Sequence, residues 1–546
     1  MARLPQPGGD NGNWGDILND YLNQSHKADG TIKDNAVTAA ALAPNSVTNA
    51  NVAADAVAKS QLTPALRSEL DEKVSVAVAN SSYAPYNAAV VSIARGDSDI
   101  AVRAARTDLD SGYSTCIGWI GDSTGDSYGQ WAGTDDPGDR TPIRLGRMLG
   151  QAYPNYVVLA RRWNASNESA CTVLQGNAAN RECSRHDGRT VRYVPTTSTD
   201  PFAASNAFDL RILVAPDDWT KATEQTLIGS MSRVNGASQA TSMRFLWTVV
   251  FTGGISVMRI RWSEDGTTLG HSAYSASIPG LVASELKWLR VTVTISPGTG
   301  ASVRYYTSTD GGSWTQLGST ISLTGASFAA LPFNSADFFE LGGTGWGSVA
   351  TSMIGRVAEV QIRAGVDGRT LTPCLPRLWE RNANTGVTYT GSPTLYIANA
   401  SWSGSTITQI MAALDTMVHD YSQGPMFFNQ SHNHAGVSGS TWTTLYESWV
   451  NAVMDRVPGA SPIAVLQNPH TSAWANEAQY GISHQLRLRE LARLAARKRW
   501  GQLDLYQAFI ADSRGVNALL LADGLHPNAA GYDLAASTTA RMFGIE

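Results

Sequence analysis

A serine hydroxyl attacks at neutral pH only when a base takes its proton, and the base needs a partner that fixes its orientation. This chain of 546 residues carries such a set in two distant segments. Gly121-Asp122-Ser123 directly follows the apolar run that starts at Cys116, and Asp523 and His526 lie three residues apart in LLLADGLHPNAAGY. That spacing lets the carboxylate reach one imidazole nitrogen while the other faces outward. Ser123 is the candidate nucleophile, His526 the base and Asp523 the orienting carboxylate. Two further Gly-Asp-Ser triplets compete with Ser123, and Gly, Asp and Ser are common turn residues. Ser127 lies four residues farther on and reads as a helix cap, and Ser98 reads as part of a surface turn, with Arg95-Gly96-Asp97 in the same turn. His432 and His434 flank Asn433 in a His-x-His arrangement that suits a metal. No third ligand follows at a telling spacing, so both are expected to line the site or hydrogen-bond its loops. Asp122, His432 and His434 are the candidate substrate-binding residues, and neither metal nor cofactor is expected. His186, His271 and His484 are read as ordinary polar residues.

The elements that must position these groups alternate strand and helix. CIGWIGDS reads as a strand ending at Ser123, IRLGRMLGQAYP as a helix and YVVLARRWN as a second strand. After Cys374 the alternation resumes: TLYIANASWSG, PMFFNQSHN, SPIAVLQNP and LDLYQAF are strands, and STITQIMAALDTMVHDY and QLRLRELARLAARKRW are helices. Alternation of this kind gives a parallel sheet with helices on both faces, and the carboxyl edge of such a sheet is where ligands bind. Between the two halves the texture is all-β. LRVTVTI alternates apolar and polar residues, and TSTDGGSW is a hairpin turn between strands. The expected architecture is an α/β domain in two parts, 111–190 and 374–546, with a β-sandwich inserted at 191–373.

The N-terminal part differs. Trp14, Ile17, Leu18 and Tyr21 follow helical spacing after Asn13, a suitable N-cap, and residues 1–30 read as a docking segment. From Ala36 to Ala65 a repeat of about ten residues recurs, followed by the stripe Leu66, Leu70 and Val74, a short coiled coil. A repeat this short buries no core alone, so 31–75 is expected to wind with identical chains as a stalk. Residues 76–110 read as a connector.

Composition narrows the class. Charged residues are 16% of the chain and the formal net charge is -5, which excludes nucleic acid as the main partner. No apolar run suffices to cross a bilayer, and the N-terminus has no apolar stretch of the secretory type. The four cysteines, Cys116, Cys171, Cys183 and Cys374, form no disulfide framework. Cys171 and Cys183 are close enough to pair if oxidised, with reduced and buried the preferred reading.

With these residues in hand, the chain resembles the SGNH (GDSL-type) hydrolases, a flavodoxin-like α/β fold of esterases, lipases and deacetylases. Gly121-Asp122-Ser123 matches the first block and Asp523, His526 and Pro527 the last. IANASWSGSTIT resembles the second, giving Asn399 and Gly404, and FFNQSHNHAG the third, giving Asn433. The third block departs from the family pattern, with Ser431 in place of Gly and His434 in place of Asp. The resemblance implies acyl transfer, with an oxyanion held by the amides of Ser123 and Gly404 and the Asn433 side chain. The central region resembles concanavalin A-like (laminin G-like) domains through YYTSTDGGSWTQLG and GRVAEVQIRAGVDG, and Trp219, Trp247, Trp262, Trp288, Trp314 and Trp346 are candidates to stack on sugars. The first seventy or so residues resemble tail fibre and minor tail proteins of phages that infect actinobacteria. Together these resemblances imply a homotrimeric virion tail protein that docks to other tail or baseplate proteins. It assembles in the host cytoplasm and acts at the host surface, removing acyl groups from a polysaccharide or glycolipid without membrane insertion. A non-catalytic receptor-binding protein on the same scaffold is the alternative.

Overall fold

The computed structural model describes residues 4–33, 91–125, 140–163, 172–187, 191–193 and 200–545. The last span omits 201, 204, 233–241, 326–327, 333–337, 344–351, 381–386, 419–423, 435–436, 438, 458 and 472–476. The chain forms two compact units, Met1–Ala84 and Pro85–Glu546. In the first, helix α1 (Trp14–Leu22) occupies the expected segment and buries none of its residues. Asn13 stands at its N-cap without a side-chain capping bond. The ten-residue repeats and the Leu66–Val74 stripe lie outside the described residues.

The second unit contains a seven-stranded sheet built from β1 (Thr115–Gly121), β2 (Val157–Arg162), β3 (Thr172–Gln175), β4 (Thr394–Ser401), β5 (Pro425–Asn429), β6 (Ser461–Leu466) and β7 (Gly501–Asp504). Its order is β7-β6-β5-β1-β4-β2-β3. All neighbours are parallel except β2 and β3, which are antiparallel. Counting only the parallel strands, the order is 2-3-1-4-5-6, which departs from the 2-1-3-4-5 of a flavodoxin-like sheet. The chain enters at the centre, builds outward to one side, returns beside β1 with β4, and then crosses over to β5. The chain leaves β1 toward the β2 side and leaves β5 toward the β6 side, so the direction of connection reverses between β1 and β5, and the crevice at the carboxyl ends of two such strands is where open sheets bind ligands.

Both faces of this sheet are covered, and β1 divides its side chains between them. Cys116 and Ile120 enter one apolar cluster, Ile117 and Trp119 the other. The first cluster takes Trp442, Tyr446, Trp449, Val450 and Val453 from the helix Gly439–Met454, and Leu488, Leu491 and Leu494 from Glu477–Lys498. The second takes Leu145 and Leu149 from Thr141–Ala152 and Ala535 and Ala540 from Ala529–Met542. It also takes Ala101, Val102, Ala105 and Leu109, which belong to a 20-residue helix, Val91–Asp110. Residues 91–110, expected as connector and surface turn, are thus a helix that covers the sheet. Ser98 and the Arg95-Gly96-Asp97 triplet lie inside it. Two other elements differ from expectation. The helix read across 405–421 breaks at Ala413 into Ile407–Ala412 and Leu414–Met417. LDLYQAF is a strand only to Asp504, whose side chain accepts from the Gln507 amide at 2.8 Å and starts a helix at Leu505.

The residues between β3 and β4 form two antiparallel sheets, of six and nine strands, whose inner faces share one apolar cluster. Leu289, Val291, Val293 and Ile295 enter that cluster as their alternation predicts. The nine-stranded sheet also takes in Cys183–Asp187 and Thr388–Thr390, on either side of 191–373. Its polar face is buried too. Arg211 and Arg290 both pair with the fully buried Asp209, at 2.9 and 2.7 Å, and hold its carboxyl far below the usual range against the burial that opposes them. Fully buried Glu359 meets Arg161 of β2 at 3.5 Å and Arg181 at 3.2 Å, which ties this sheet to the edge of the parallel one. Trp219, Trp247, Trp262 and Trp288 are buried in these sheets and are not surface platforms for sugars. Trp314 is half-buried against Trp288, and Trp346 lies outside the described residues. Cys116, Cys183 and Cys374 are buried thiols, and burial pushes the Cys183 thiol up to about 11. No helix among the described residues is long and apolar enough to cross a membrane.

Candidate active site

Strand β1 delivers Ser123 to the crevice because its last residue has no side chain. A Cβ on Gly121 would lie 2.0 Å from the Asn429 carbonyl oxygen of β5, so only glycine allows the two strands to pair this closely. The chain then turns. The Asp122 amide donates to that same carbonyl at 3.1 Å, and the Gly125 amide donates to the Asp122 carbonyl at 3.1 Å. Ser123 is left on the outside of the turn.

His526 arrives on the loop before the last helix. Leu520 and Pro527 pair across this loop. The Leu521 amide donates to the His526 carbonyl at 2.7 Å, and Asn528 caps the helix by accepting from the Gly531 amide at 3.1 Å. Within the loop, Oδ1 of Asp523 accepts from the amides of Leu525 and His526, both at 3.0 Å. Oδ2 accepts from Nδ1 of His526 at 2.6 Å. Burial pushes the Asp523 carboxyl up, but the ring bond and the two amides outweigh it and hold the group at about 2. An ionised carboxylate only accepts, so Nδ1 carries the imidazole proton and Nε2 presents a lone pair. That lone pair lies 2.8 Å from Oγ of Ser123, which donates to it. Ser123 and His526 are 6% and 3% exposed, so the pair is nearly dry.

On the β4 side the Trp402 amide donates to the Gly121 carbonyl at 2.9 Å and holds the loop that carries Gly404 beside the nucleophile turn. Gly404 has φ +72°, a left-handed conformation that other residues adopt at a cost. Among the described residues the amides of Ser123 and Gly404 meet no acceptor. Asn399 donates from Nδ2 to the Gly125 carbonyl at 2.8 Å and anchors the residue that ends the turn. On the β5 side Asn433 and Gln430 both donate to the Ser405 carbonyl, at 3.0 and 2.7 Å, so this loop is stitched to the Gly404 loop. One N–H of Asn433 is thereby committed, and its amide group has a second.

Three expected substrate contacts are placed otherwise. Asp122 is fully buried. Its carboxylate accepts from the Thr124 amide at 3.0 Å, the Thr124 hydroxyl at 2.9 Å and Gln467 at 2.9 Å, so it braces the turn. Burial pushes that carboxyl upward against these bonds. His434 is 4% exposed, and its Nε2 accepts from the Ile407 amide at 2.9 Å, at the start of the helix Ile407–Ala412. His432 is 2% exposed, with Nε2 donating to the Asn468 carbonyl at 3.0 Å. Burial pushes these two imidazoles down to about 4 and about 3, so both are neutral. His432 stacks on His484 with ring centroids 4.4 Å apart, which makes His484 part of the site's buried support. Among the described residues no group of three or more His, Cys, Asp and Glu side chains is arranged to hold a metal ion. Ser127 lies outside the described residues.

Sequence reasoning missed Thr124, Gln467 and Asn468. The signal for the last two is a polar pair closing the buried strand β6 at the sheet's ligand-binding edge.

No family model matches the chain, and no curated protein matches it. Among solved structures it is similar to a peptidoglycan O-acetylesterase at 12% identity, with 82% of this chain and 95% of that one covered at a TM-score of 0.31. It is similar to a member of the lipolytic G-D-S-L family from Veillonella parvula at 14% identity, covering 28% of this chain and 81% of that one at a TM-score of 0.24. It is also similar to the heptameric SAP-like pentraxin of Limulus polyphemus at 11% identity, covering 35% and 79% at a TM-score of 0.24.

Proposed function

We propose that the chain is a serine esterase that removes acyl groups by way of an acyl-enzyme. The observation that carries this reading is the hydrogen-bonded series Ser123, His526 and Asp523 at the carboxyl end of the central strand. As Oγ of Ser123 bonds to the ester carbonyl carbon, its proton passes to Nε2 of His526. The carbonyl oxygen takes the negative charge and accepts from the amides of Ser123 and Gly404 and from Asn433. Collapse of this intermediate breaks the bond to the alcohol, which leaves with the proton from Nε2. Water then attacks the acyl-enzyme, giving its proton to Nε2, and Oγ recovers that proton as the acid departs. Asp523, ionised throughout, keeps Nδ1 protonated and stabilises the transient imidazolium.

The proposal extends to context. The substrate is an acylated host-surface glycan, and the antiparallel sheets are a concanavalin A-like module beside the site. The chain is a homotrimeric phage tail component that docks through its first thirty residues. Support for this comes from the N-terminal motifs, the ten-residue repeats and the low charge of the chain.

The test is turnover of p-nitrophenyl acetate by the wild type, Ser123→Ala and His526→Ala. The account expects hydrolysis by the wild type and a loss on the order of 10⁶ in both variants, limited by the background rate. Equal rates in all three would make the hydrolase fold a scaffold for receptor binding.

A further inference from the structure

Two residues just after β6 bond to the nucleophile turn, the loop after β5 and the loop that carries His526. Gln467 is 1% exposed and uses all four of its hydrogen-bonding positions. Its Nε2 donates to Oδ2 of Asp122 at 2.9 Å and to Oγ1 of Thr124 at 3.1 Å. Its Oε1 accepts from Oγ of Ser431 at 2.7 Å and from the His432 amide at 2.9 Å. One side chain thus grips the nucleophile turn on one side and the loop that carries Asn433 on the other. Asn468, 2% exposed, continues the series. Its Nδ2 donates to the Leu525 carbonyl at 3.0 Å, next to His526, and its own carbonyl accepts from His432. The Thr124 hydroxyl of the turn is committed as well. Oγ1 of Thr124 donates to Asp122 and accepts from Asn429 at 2.8 Å as well as from Gln467.

We infer that Gln467 and Asn468 are positioning residues that set Ser123, Asn433 and His526 in mutual register through this buried hydrogen-bonded spine. The inference rests on the esterase reading. Neither residue reaches the reacting atoms, and both act through groups that do. With all four positions of Gln467 satisfied its side chain holds one arrangement, and removing those bonds strands buried partners on both loops, which is costly and loosens them. A misplacement of about 1 Å in an active site costs on the order of 10²-fold in rate.

The test uses the full-length chain with Gln467→Met, Gln467→Glu and Asn468→Ala. Gln467→Met keeps the length and apolar bulk of the side chain and removes all four bonds. It is expected to lower kcat by about 10- to 100-fold with KM changed by less than about threefold. Asn468→Ala is expected to lower kcat in the same sense. Gln467→Glu places a second carboxyl against Asp122. When the pair holds one proton, that proton bridges the two groups and the grip is restored, and when both ionise they repel. The other ionisable groups facing this spine are His432, His470, His484, Arg487 and His526, and all are present in the wild type. The Glu variant therefore gains an alkaline loss of kcat that the wild type lacks, and acidification rescues it toward the wild-type rate. A purely structural role would instead lower the fraction of folded protein as the pair ionises, read as an alkaline fall in melting temperature, and leave kcat per folded molecule without such a limb.

Hydrogen exchange is read in parallel on peptides spanning 119–125 and 429–434. Loss of protection in both segments of Gln467→Met supports the coupling, and loss in one or neither refutes it. Wild-type turnover that vanishes in Ser123→Ala secures the esterase reading. With that control in place, an unchanged kcat in Gln467→Met overturns the positioning role. If the control itself fails, the esterase reading falls and the exchange data alone decide whether the spine couples the two loops.

Discussion

Replacing Asp523 by Asn probes the orientation of the base without emptying its site. The two carboxylate oxygens have different duties: Oδ1 accepts from two backbone amides, and Oδ2 accepts from the imidazole. An amide has one accepting end and one donating end. With its oxygen toward the backbone, its NH2 faces Nδ1. The ring must then take the other tautomer, with the proton on Nε2, where it cannot accept from Ser123. With its oxygen toward the ring, its NH2 faces two backbone N–H groups and both bonds are lost. Leaving a buried donor without its acceptor costs about 1–3 kcal/mol, so with two backbone amides stranded the second arrangement lies about 2–6 kcal/mol higher, equivalent to about 30–10⁴ in population. The Asp523 side chain is 38% exposed, and water offsets part of that penalty. The lower half of the range, about 30- to 600-fold in kcat, is therefore expected for Asp523→Asn, with KM nearly unchanged and a modestly lower melting temperature, because the ionised carboxylate's bonds stabilise the fold. Steady-state hydrolysis of p-nitrophenyl acetate beside thermal unfolding reads all three. A folded variant within tenfold of wild-type kcat would refute the tautomer argument.

Asn433→Ala removes one oxyanion donor but leaves Gln430 on the Ser405 carbonyl, so kcat should fall by about 10²–10³ with little loss of stability. A rise in KM alone in the same kinetic assay would move Asn433 out of the oxyanion hole. His434 titrates at about 4 in the folded chain, below its ordinary value of 6.5. Between those values the unfolded chain holds the extra proton, so stability is fullest above about pH 6.5 and falls toward pH 4, by about 1.4 kcal/mol per pH unit. His434→Gln can still accept from Ile407 without titrating. Urea unfolding from pH 7 to 4 should show a shallower slope in the variant, and an equal slope would show that His434 makes no such contribution. The stalk reading predicts a trimeric solution mass that becomes monomeric when residues 1–75 are removed, and a monomer in both cases would discard it.

Much of the site was legible because its residues sit at the ends of strongly apolar strands. The run from Cys116 to Ile120 announces a buried strand, and Gly121 and Ser123 follow at its edge. The Asp-x-x-His loop was legible because its geometry is local, with five of its bonds made inside 521–528. What was hidden depends on distant partners. In the helix Val91–Asp110 the described buried residues are Ala101, Val102, Ala105 and Leu109, set among polar and charged neighbours, and so the segment reads as a connector. The burial of Asp122, His432 and His434 follows from their polar partners and not from their own types, so exposure to substrate was the natural expectation. Gln467 and Asn468 look like the polar end of any strand until the fold brings Asp122, Ser431 and Leu525 against them. The same holds for Glu359, whose partners Arg161 and Arg181 come from outside its own sheet.

Covalent capture tests the central claim most directly. A fluorophosphonate transfers its phosphonyl group only to a serine activated by its neighbours, and peptide mass spectrometry locates the adduct. The account predicts a single adduct on Ser123 in the wild type, labelling slowed by orders of magnitude in His526→Ala, and none on Ser98, Ser127 or Ser431. An unlabelled wild type, or an adduct whose rate ignores residue 526, would contradict it.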